Sequence, residues 1–109
     1  MTAEEILDEW GVRLRSDELP GEMFVADVDE RPGFIAITSQ RFIFVADTGS
    51  GLSVVQDHLL SAARNVQLIR RGMRHRLHVT WHGDECLIVT PDRKSLARIH
   101  HYLEDRALG

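Results

Sequence analysis

The segment GFIAITSQRFIFVADTGSG, residues 33–51, holds two short apolar runs separated by TSQR and followed by a glycine-rich stretch. β-Branched and aromatic residues dominate both runs, which predicts two strands, Phe34–Thr38 and Arg41–Ala46. The polar residues between them predict a turn, in which the Thr38 hydroxyl bonds to the turn backbone and Arg41 lies across a strand edge. This pattern favours a structural hairpin turn over a reactive centre.

Alternation of apolar and polar residues recurs on both sides of this segment. It predicts five further strands: Met23–Asp29, Leu52–His58, Asn65–Arg70, Arg74–His82 and Glu85–Thr90. The strands are short, and turn signals such as Pro-Gly and Gly72 separate them. Seven such strands in succession are typical of an antiparallel sandwich or barrel.

A helix is predicted at each end of the chain. Thr2 is a suitable N-cap for the first, Ile6, Leu7 and Trp10 form its apolar stripe, and Gly11 ends it. A helix this short needs a partner, so we expect it to pack on its own sheet.

The second helix begins after Pro91, with Asp92 as N-cap. Leu96, Ile99 and Leu103 recur at helical spacing, so this helix is expected to fill the open corner of a bent sheet. The predicted fold is mainly β: a bent seven-strand antiparallel sheet capped by a C-terminal helix. Residues 1–20 are interpreted as an N-terminal helix and connector, and residues 21–109 as the domain.

Two blocks of sequence support a family resemblance. Gly33 followed by FIAI, TSQR and FIFV, and the block LLSAARNVQLIRRGMRHRLHVTWHG at residues 59–83, resemble the bacterial branch of the pleckstrin-homology-like superfamily, which includes GRAM-like and YokE-like domains. The resemblance covers residues 21–108. It implies the same bent sheet and helix, and a non-enzymatic module that binds partners at sheet edges or between strand and helix.

Charge is distributed unevenly along the chain. The net charge is −4, which argues against a general nucleic-acid binder. Residues 1–30 contain ten carboxylates, whereas residues 58–83 contain five arginines and no carboxylate. We expect a polarised surface, on which the acidic end of one copy could meet the basic hairpin of another.

The predicted sixth strand carries the most informative alternation. Leu77, Val79 and Trp81 are assigned to the core, which leaves a basic exposed row on the other face. The candidates for binding an anion or partner are Arg64, Arg70, Arg71, Arg74, Arg76, His78 and His82. The alternative is a solvated face that protects an edge strand from aggregation.

Other ligand classes are disfavoured by the same residues. Family members that bind phosphoinositides carry basic residues in the first hairpin, but here that loop is DVDERPG, with Asp27, Asp29 and Glu30. Carboxylates repel phosphate, so no specific phosphoinositide site is expected. Nucleic acid is disfavoured because no exposed aromatic residue accompanies the arginines.

Catalytic and metal sites are not predicted. On a strand, His78 and His82 stand too far apart to share a zinc ion and His75 faces the other way. Cys86 alternates with Ile88 and is interpreted as a small core residue. Nearby carboxylates would raise the pKa of its thiol, which argues against a nucleophile. No Ser-His-Asp pattern or phosphate-binding glycine loop is present, so we expect no enzyme, no cofactor and no metal.

The expected function is therefore protein interaction or self-assembly. The alternative is peripheral attachment to an anionic membrane through the hairpin of strands five and six. The single cysteine, Cys86, and the lack of a signal-like or membrane-spanning run predict a cytoplasmic protein, with membrane contact at most peripheral.

Overall fold

The strands of this chain form one antiparallel sheet. The computed structural model describes residues 2–107. The elements are α1 (Ala3–Glu9), β1 (Pro20–Val28), β2 (Arg31–Thr38), β3 (Arg41–Asp47), β4 (Leu52–Leu59), a 3₁₀ turn (Leu60–Ala62), β5 (Ala63–Arg71), β6 (Arg74–Trp81), β7 (Asp84–Val89) and α2 (Arg93–Ala107). The strand order is β4-β3-β2-β1-β7-β6-β5. The predicted mainly β fold, with seven antiparallel strands in one bent sheet and a helix at each end, is confirmed.

The sheet is bent so that its first and last strands enclose a common core. β1 pairs with β7 only at Asp27 and Val28, so the two halves of the sheet separate beyond that point. On the inner face, the His58 ring of β4 stacks on Trp81 of β6, with centroids 4.6 Å apart. α2 closes the remaining gap with Leu96, Ile99 and Leu103, all buried, as the helical spacing predicted.

A second apolar cluster lies on the outer face of β2 and β3. Leu7 and Val12 pack there against Ala36, Ile43 and Val45. Trp10 stacks on Phe34 with ring centroids 5.6 Å apart, which confirms that the first helix packs on its own sheet. Because β2 and β3 are covered on both faces, their sequences are continuous apolar runs rather than alternating ones.

The TSQR turn is held by a buried polar network. The Thr38 hydroxyl accepts hydrogen bonds from the backbone amides of Gln40, at 3.1 Å, and Arg41, at 2.8 Å. Arg41 donates to both carboxylate oxygens of Glu18, at 2.8 and 2.9 Å, and to Asp57 at 2.9 Å. Thr38 also donates to Glu18. Thr38 therefore has the predicted structural role, whereas Arg41 is buried rather than lying across an exposed edge.

Glu18 supplies the counter-charge for this network. Burial alone would raise the pKa of its carboxyl group, but the hydrogen bonds from Arg41, Thr38 and the Arg15 amide outweigh that effect and lower the pKa from 4.5 to about 2. The ionised form is thus the one that folding stabilises. This pair ties the connector after α1 to the β2–β3 turn.

All seven strands differ from their predicted bounds by one to three residues at one end or both, and two of these differences have a clear physical cause. β1 begins at Pro20 rather than Met23, and a Cβ at Gly21 would collide with the carbonyl oxygen of Ile37. β6 ends at Trp81, because His82 and Gly83 form a two-residue turn with φ of 50° and 91°. The prediction that His82 continues the strand is therefore wrong.

Candidate partner-binding site

The outer surface of the β5–β6 hairpin is basic. Directly opposed strand residues share a face, and the register pairs Arg71 with Arg74, Ile69 with Arg76, Gln67 with His78 and Arg64 with Thr80. Alternation places the buried Leu77, Val79 and Trp81 on the inner face. We call the outer set the basic face; it comprises Arg64, Arg71, Arg74, Arg76 and His78.

Two of the candidate residues do not belong to the basic face. Arg70 pairs with His75, so it lies on the other side of the hairpin. The pKa of His75 is lowered by loss of hydration and by the charges of Arg93 and Arg70. His82 lies in the β6–β7 turn, where its ring centroid is 6.4 Å from that of His58.

No other described residue neutralises the arginines of the basic face. All four are exposed, and among residues 2–107 none of them forms a salt bridge, whereas Arg41 and Arg98 do. Arg64 donates only to the carbonyl oxygens of Ser61 and Ala63, both at 2.8 Å. Unpaired positive charge on one strand surface favours a negatively charged partner.

An apolar side chain accompanies this charge at the tip of the hairpin. Met73 follows Gly72 in the turn between β5 and β6, and 87% of its surface is exposed. Arg71 and Arg74 flank the turn on the outer face. The tip therefore combines a flexible apolar group with cationic neighbours.

The negative charge of the chain is concentrated elsewhere. Glu4, Glu5, Asp8 and Glu9 are exposed on α1, and within the described part of the chain none of them takes part in a salt bridge. We call them the acidic patch. α1 covers β2 and β3, while the basic face lies on β5 and β6, with β1 and β7 between them in the sheet. The expected polarised surface is present.

A groove of about 710 Å³ opens beside the basic face. Arg74 and Arg76 line it from β6, and Asp27 and Glu30 from β1 and the β1–β2 turn. Leu87, Val89 and Leu96 contribute apolar surface. Sequence reasoning missed this groove, because its walls come from parts of the chain that only the β1–β7–β6 pairing brings together.

The environments of the cysteine and of the buried histidine are those of core side chains. Burial, and secondarily the charge of Asp29, raises the pKa of the Cys86 thiol to about 12, so it stays protonated in the core, as predicted. The pKa of His58 is lowered by burial against Trp81 and by the nearby His82. Within residues 2–107, no three His, Cys, Asp or Glu side chains are grouped to hold a metal ion.

None of the helices in the described range is both long and apolar enough to cross a membrane. No model of a known protein family matches the chain, and no curated protein matches it either.

Proposed function

We propose that this chain is a non-enzymatic binding module that self-assembles, with the acidic patch of one copy bound to the basic face of the next. The observation that carries the proposal is the separation of two exposed, un-neutralised patches of opposite charge. The acidic patch lies on α1, over β2 and β3, and the basic face lies on β5 and β6, so the two patches do not pair within a copy. A second copy supplies the missing charge for each of them.

The contact is heterologous, because different surfaces of the two copies meet. Repetition of such a contact closes a ring if the rotation between copies closes, and otherwise extends a chain. Each exposed ion pair contributes about 1 kcal/mol or less, so several pairs must act together. Salt screens exposed charges, which makes the assembly sensitive to ionic strength.

Sedimentation velocity tests this contact with reversed charges. Arg71→Glu/Arg74→Glu reverses part of the basic face, and Glu4→Arg/Glu5→Arg reverses part of the acidic patch. Wild type is expected to associate at about 50 mM salt and to dissociate at about 500 mM. Each double variant alone is expected to sediment as a monomer, because its two surfaces carry the same charge. A mixture of the two is expected to associate again, because the unchanged surfaces complement each other and so do the two reversed ones.

The mixture is the decisive sample. Recovered association in the mixture alone supports the pairing of these two patches. A wild type that is monomeric at both salt concentrations contradicts self-assembly. Association that survives both charge reversals places the contact on another surface.

The exposed Met73 favours a second candidate function, peripheral attachment to an anionic membrane. An apolar side chain at a hairpin tip can enter the interfacial region while nearby arginines contact anionic lipids, each contributing about 1 kcal/mol. Flotation with phosphatidylserine-containing and neutral vesicles tests it. The expected result is binding to the anionic vesicles alone, weakened both by Met73→Ser and by Arg71→Glu/Arg74→Glu; no flotation at low salt would exclude it.

A further inference from the structure

The groove beside the basic face has walls of opposite charge. The register pairs Asp27 of β1 with Val89 of β7, and the pairing of Leu77 with Ile88 places Arg76 of β6 on the other side of Val89. Asp27, Val89 and Arg76 thus form one row across three strands on the outer face. Neighbouring strands lie about 4.8 Å apart, so the backbones of Asp27 and Arg76 are separated by about 10 Å.

Apolar side chains form the floor between the walls. Leu87 and Val89 are both half-buried and both line the groove. They alternate with the buried Cys86 and Ile88, so they face outward. An apolar floor with a few charged groups around it is typical of small-ligand sites, and about 710 Å³ lies within their usual range.

The charged walls do not satisfy each other. Among the described residues, neither Asp27 nor Glu30 forms a salt bridge or a side-chain hydrogen bond, and the same holds for Arg74 and Arg76. The neighbouring Asp29 differs, because it accepts a hydrogen bond from the Leu87 amide at 2.9 Å. A simple anion would be repelled by the acidic wall and a simple cation by the basic wall.

We propose that this groove binds a short zwitterionic peptide by both of its ends. The peptide carboxylate pairs with Arg74 and Arg76, the ammonium group pairs with Asp27 and Glu30, and a central apolar side chain packs on Leu87 and Val89. An extended chain advances about 3.3–3.6 Å per residue, so three residues span the 10 Å or so between the walls. Arg74 and Arg76 are shared with the basic face, but the site goes beyond self-assembly because Asp27, Glu30 and the apolar floor take no part in that contact.

The tripeptide Ala-Leu-Ala is the probe for this site, titrated into ¹⁵N-labelled protein and followed by NMR. Shift changes are expected at the amides of Asp27, Arg76, Leu87 and Val89. Arg76→Gln and Asp27→Asn each remove one charged contact from an exposed position and are expected to raise the Kd about tenfold. Arg71→Gln is the matched control: it removes a neighbouring arginine of the basic face and is expected to leave the Kd unchanged.

An N-acetylated peptide measures the contribution of the ammonium group separately from that of the carboxylate. N-acetyl-Ala-Leu-Ala is expected to bind wild type about tenfold more weakly than the free peptide, and Asp27→Asn is expected to weaken it no further. Equal binding of the acetylated and free peptides would show that the groove holds anions only and would overturn the proposal. So would the absence of shift changes up to about 10 mM peptide, or shift changes confined to another surface. Arg74 belongs to both surfaces, so self-assembly is measured separately by sedimentation of Glu4→Arg/Glu5→Arg, which changes no residue of the groove. With that variant the two proposals fail independently.

Discussion

Arg41 links the N-terminal connector to the sheet. Its guanidinium contacts Glu18, Asp57 and the Arg13 carbonyl oxygen, all between 2.8 and 2.9 Å. Only 8% of Arg41 and 4% of Glu18 is exposed. A buried, bidentate ion pair whose hydrogen-bonding groups are all satisfied is well tolerated in a protein. Removal of one partner, however, leaves the other charge buried without a counter-charge.

Glu18→Gln is therefore expected to be strongly destabilising. The amide cannot accept two charge-assisted hydrogen bonds from Arg41, and the loss should be about 3–5 kcal/mol in the free energy of unfolding. Urea denaturation measures it. The matched control is Glu22→Gln, which breaks the more exposed pair with Arg98 and should cost about 1 kcal/mol or less. Equal losses in the two variants would contradict the role assigned to Glu18.

The same carboxylate makes stability depend on pH. The folded-state pKa of Glu18 is about 2 and its ordinary value is 4.5, so ionisation stabilises the fold above pH 4.5. That contribution, about 3 kcal/mol, is lost as the pH falls from 4.5 toward 2. Urea midpoints of wild type and Glu18→Gln should differ most at pH 7 and converge toward pH 2.

The difference in stability between wild type and Glu18→Gln separates the effect of Glu18 from the effects of the other carboxylates. Hydrogen bonds lower the pKa of Glu22, from Arg98, and of Asp92, from Ser95, and these groups respond to pH in both proteins. A stability difference that stays constant between pH 7 and pH 2.5 would show that folding does not lower the pKa of Glu18.

The sequence indicates the Thr38 turn but not its counter-charge. Glu18 stands in RSDELPGE, a polar stretch that reads as a solvated connector, and its partner is far along the chain. The available signal was Arg41 itself: an arginine that opens an apolar strand needs a carboxylate nearby if that strand is buried. Sequence alone does not identify which carboxylate, since that depends on the path of the connector.

At the scale of elements, alternation predicted five of the strands, and the continuous β-branched and aromatic runs predicted β2 and β3. Alternation failed at ends where turn chemistry decides the boundary. Pro20 and Gly21 resemble a turn but begin β1, where Gly21 permits close contact with β2. His82 continues the polar alternation of β6 but belongs to a two-residue turn with Gly83. Positive φ at a histidine has little sequence signal.

The second helix is expected to contribute directly to core stability. Leu103 is fully buried among residues from both halves of the sheet, and Leu103→Ala should cost about 2–5 kcal/mol by leaving a cavity. His101→Ala, at an exposed position of the same helix, should change stability by less than about 0.5 kcal/mol. Thermal denaturation compares them; similar losses would show that α2 does not fill the corner.

At the scale of the whole molecule, the separation of the acidic patch from the basic face could be predicted from the sequence, but the groove could not. A count of carboxylates and arginines along the chain separates the acidic patch from the basic face. The groove depends instead on which strand lies beside β1. β7 takes that place, and it brings Asp27 across from Arg76. Long-range pairing of this kind leaves no local pattern in the sequence.

The two apolar clusters are expected to unfold together. β2 and β3 contribute Ile35 and Phe42 to the inner core and Ala36 and Ile43 to the outer cluster, so neither cluster survives loss of these strands. The two tryptophans report on them separately, Trp10 on the outer cluster and Trp81 on the inner core.

Trp81→Phe and Trp10→Phe each leave a single fluorescent reporter. In each variant, the urea curve followed by fluorescence should coincide with the curve followed by far-UV circular dichroism, as in a two-state transition. A Trp10 signal that changes at lower urea than the circular dichroism of the same variant would show that the segment from α1 to Val12 detaches first. The packing of this segment on β2 and β3 argues against that outcome, because its release would expose the buried side chains of Ala36 and Val45.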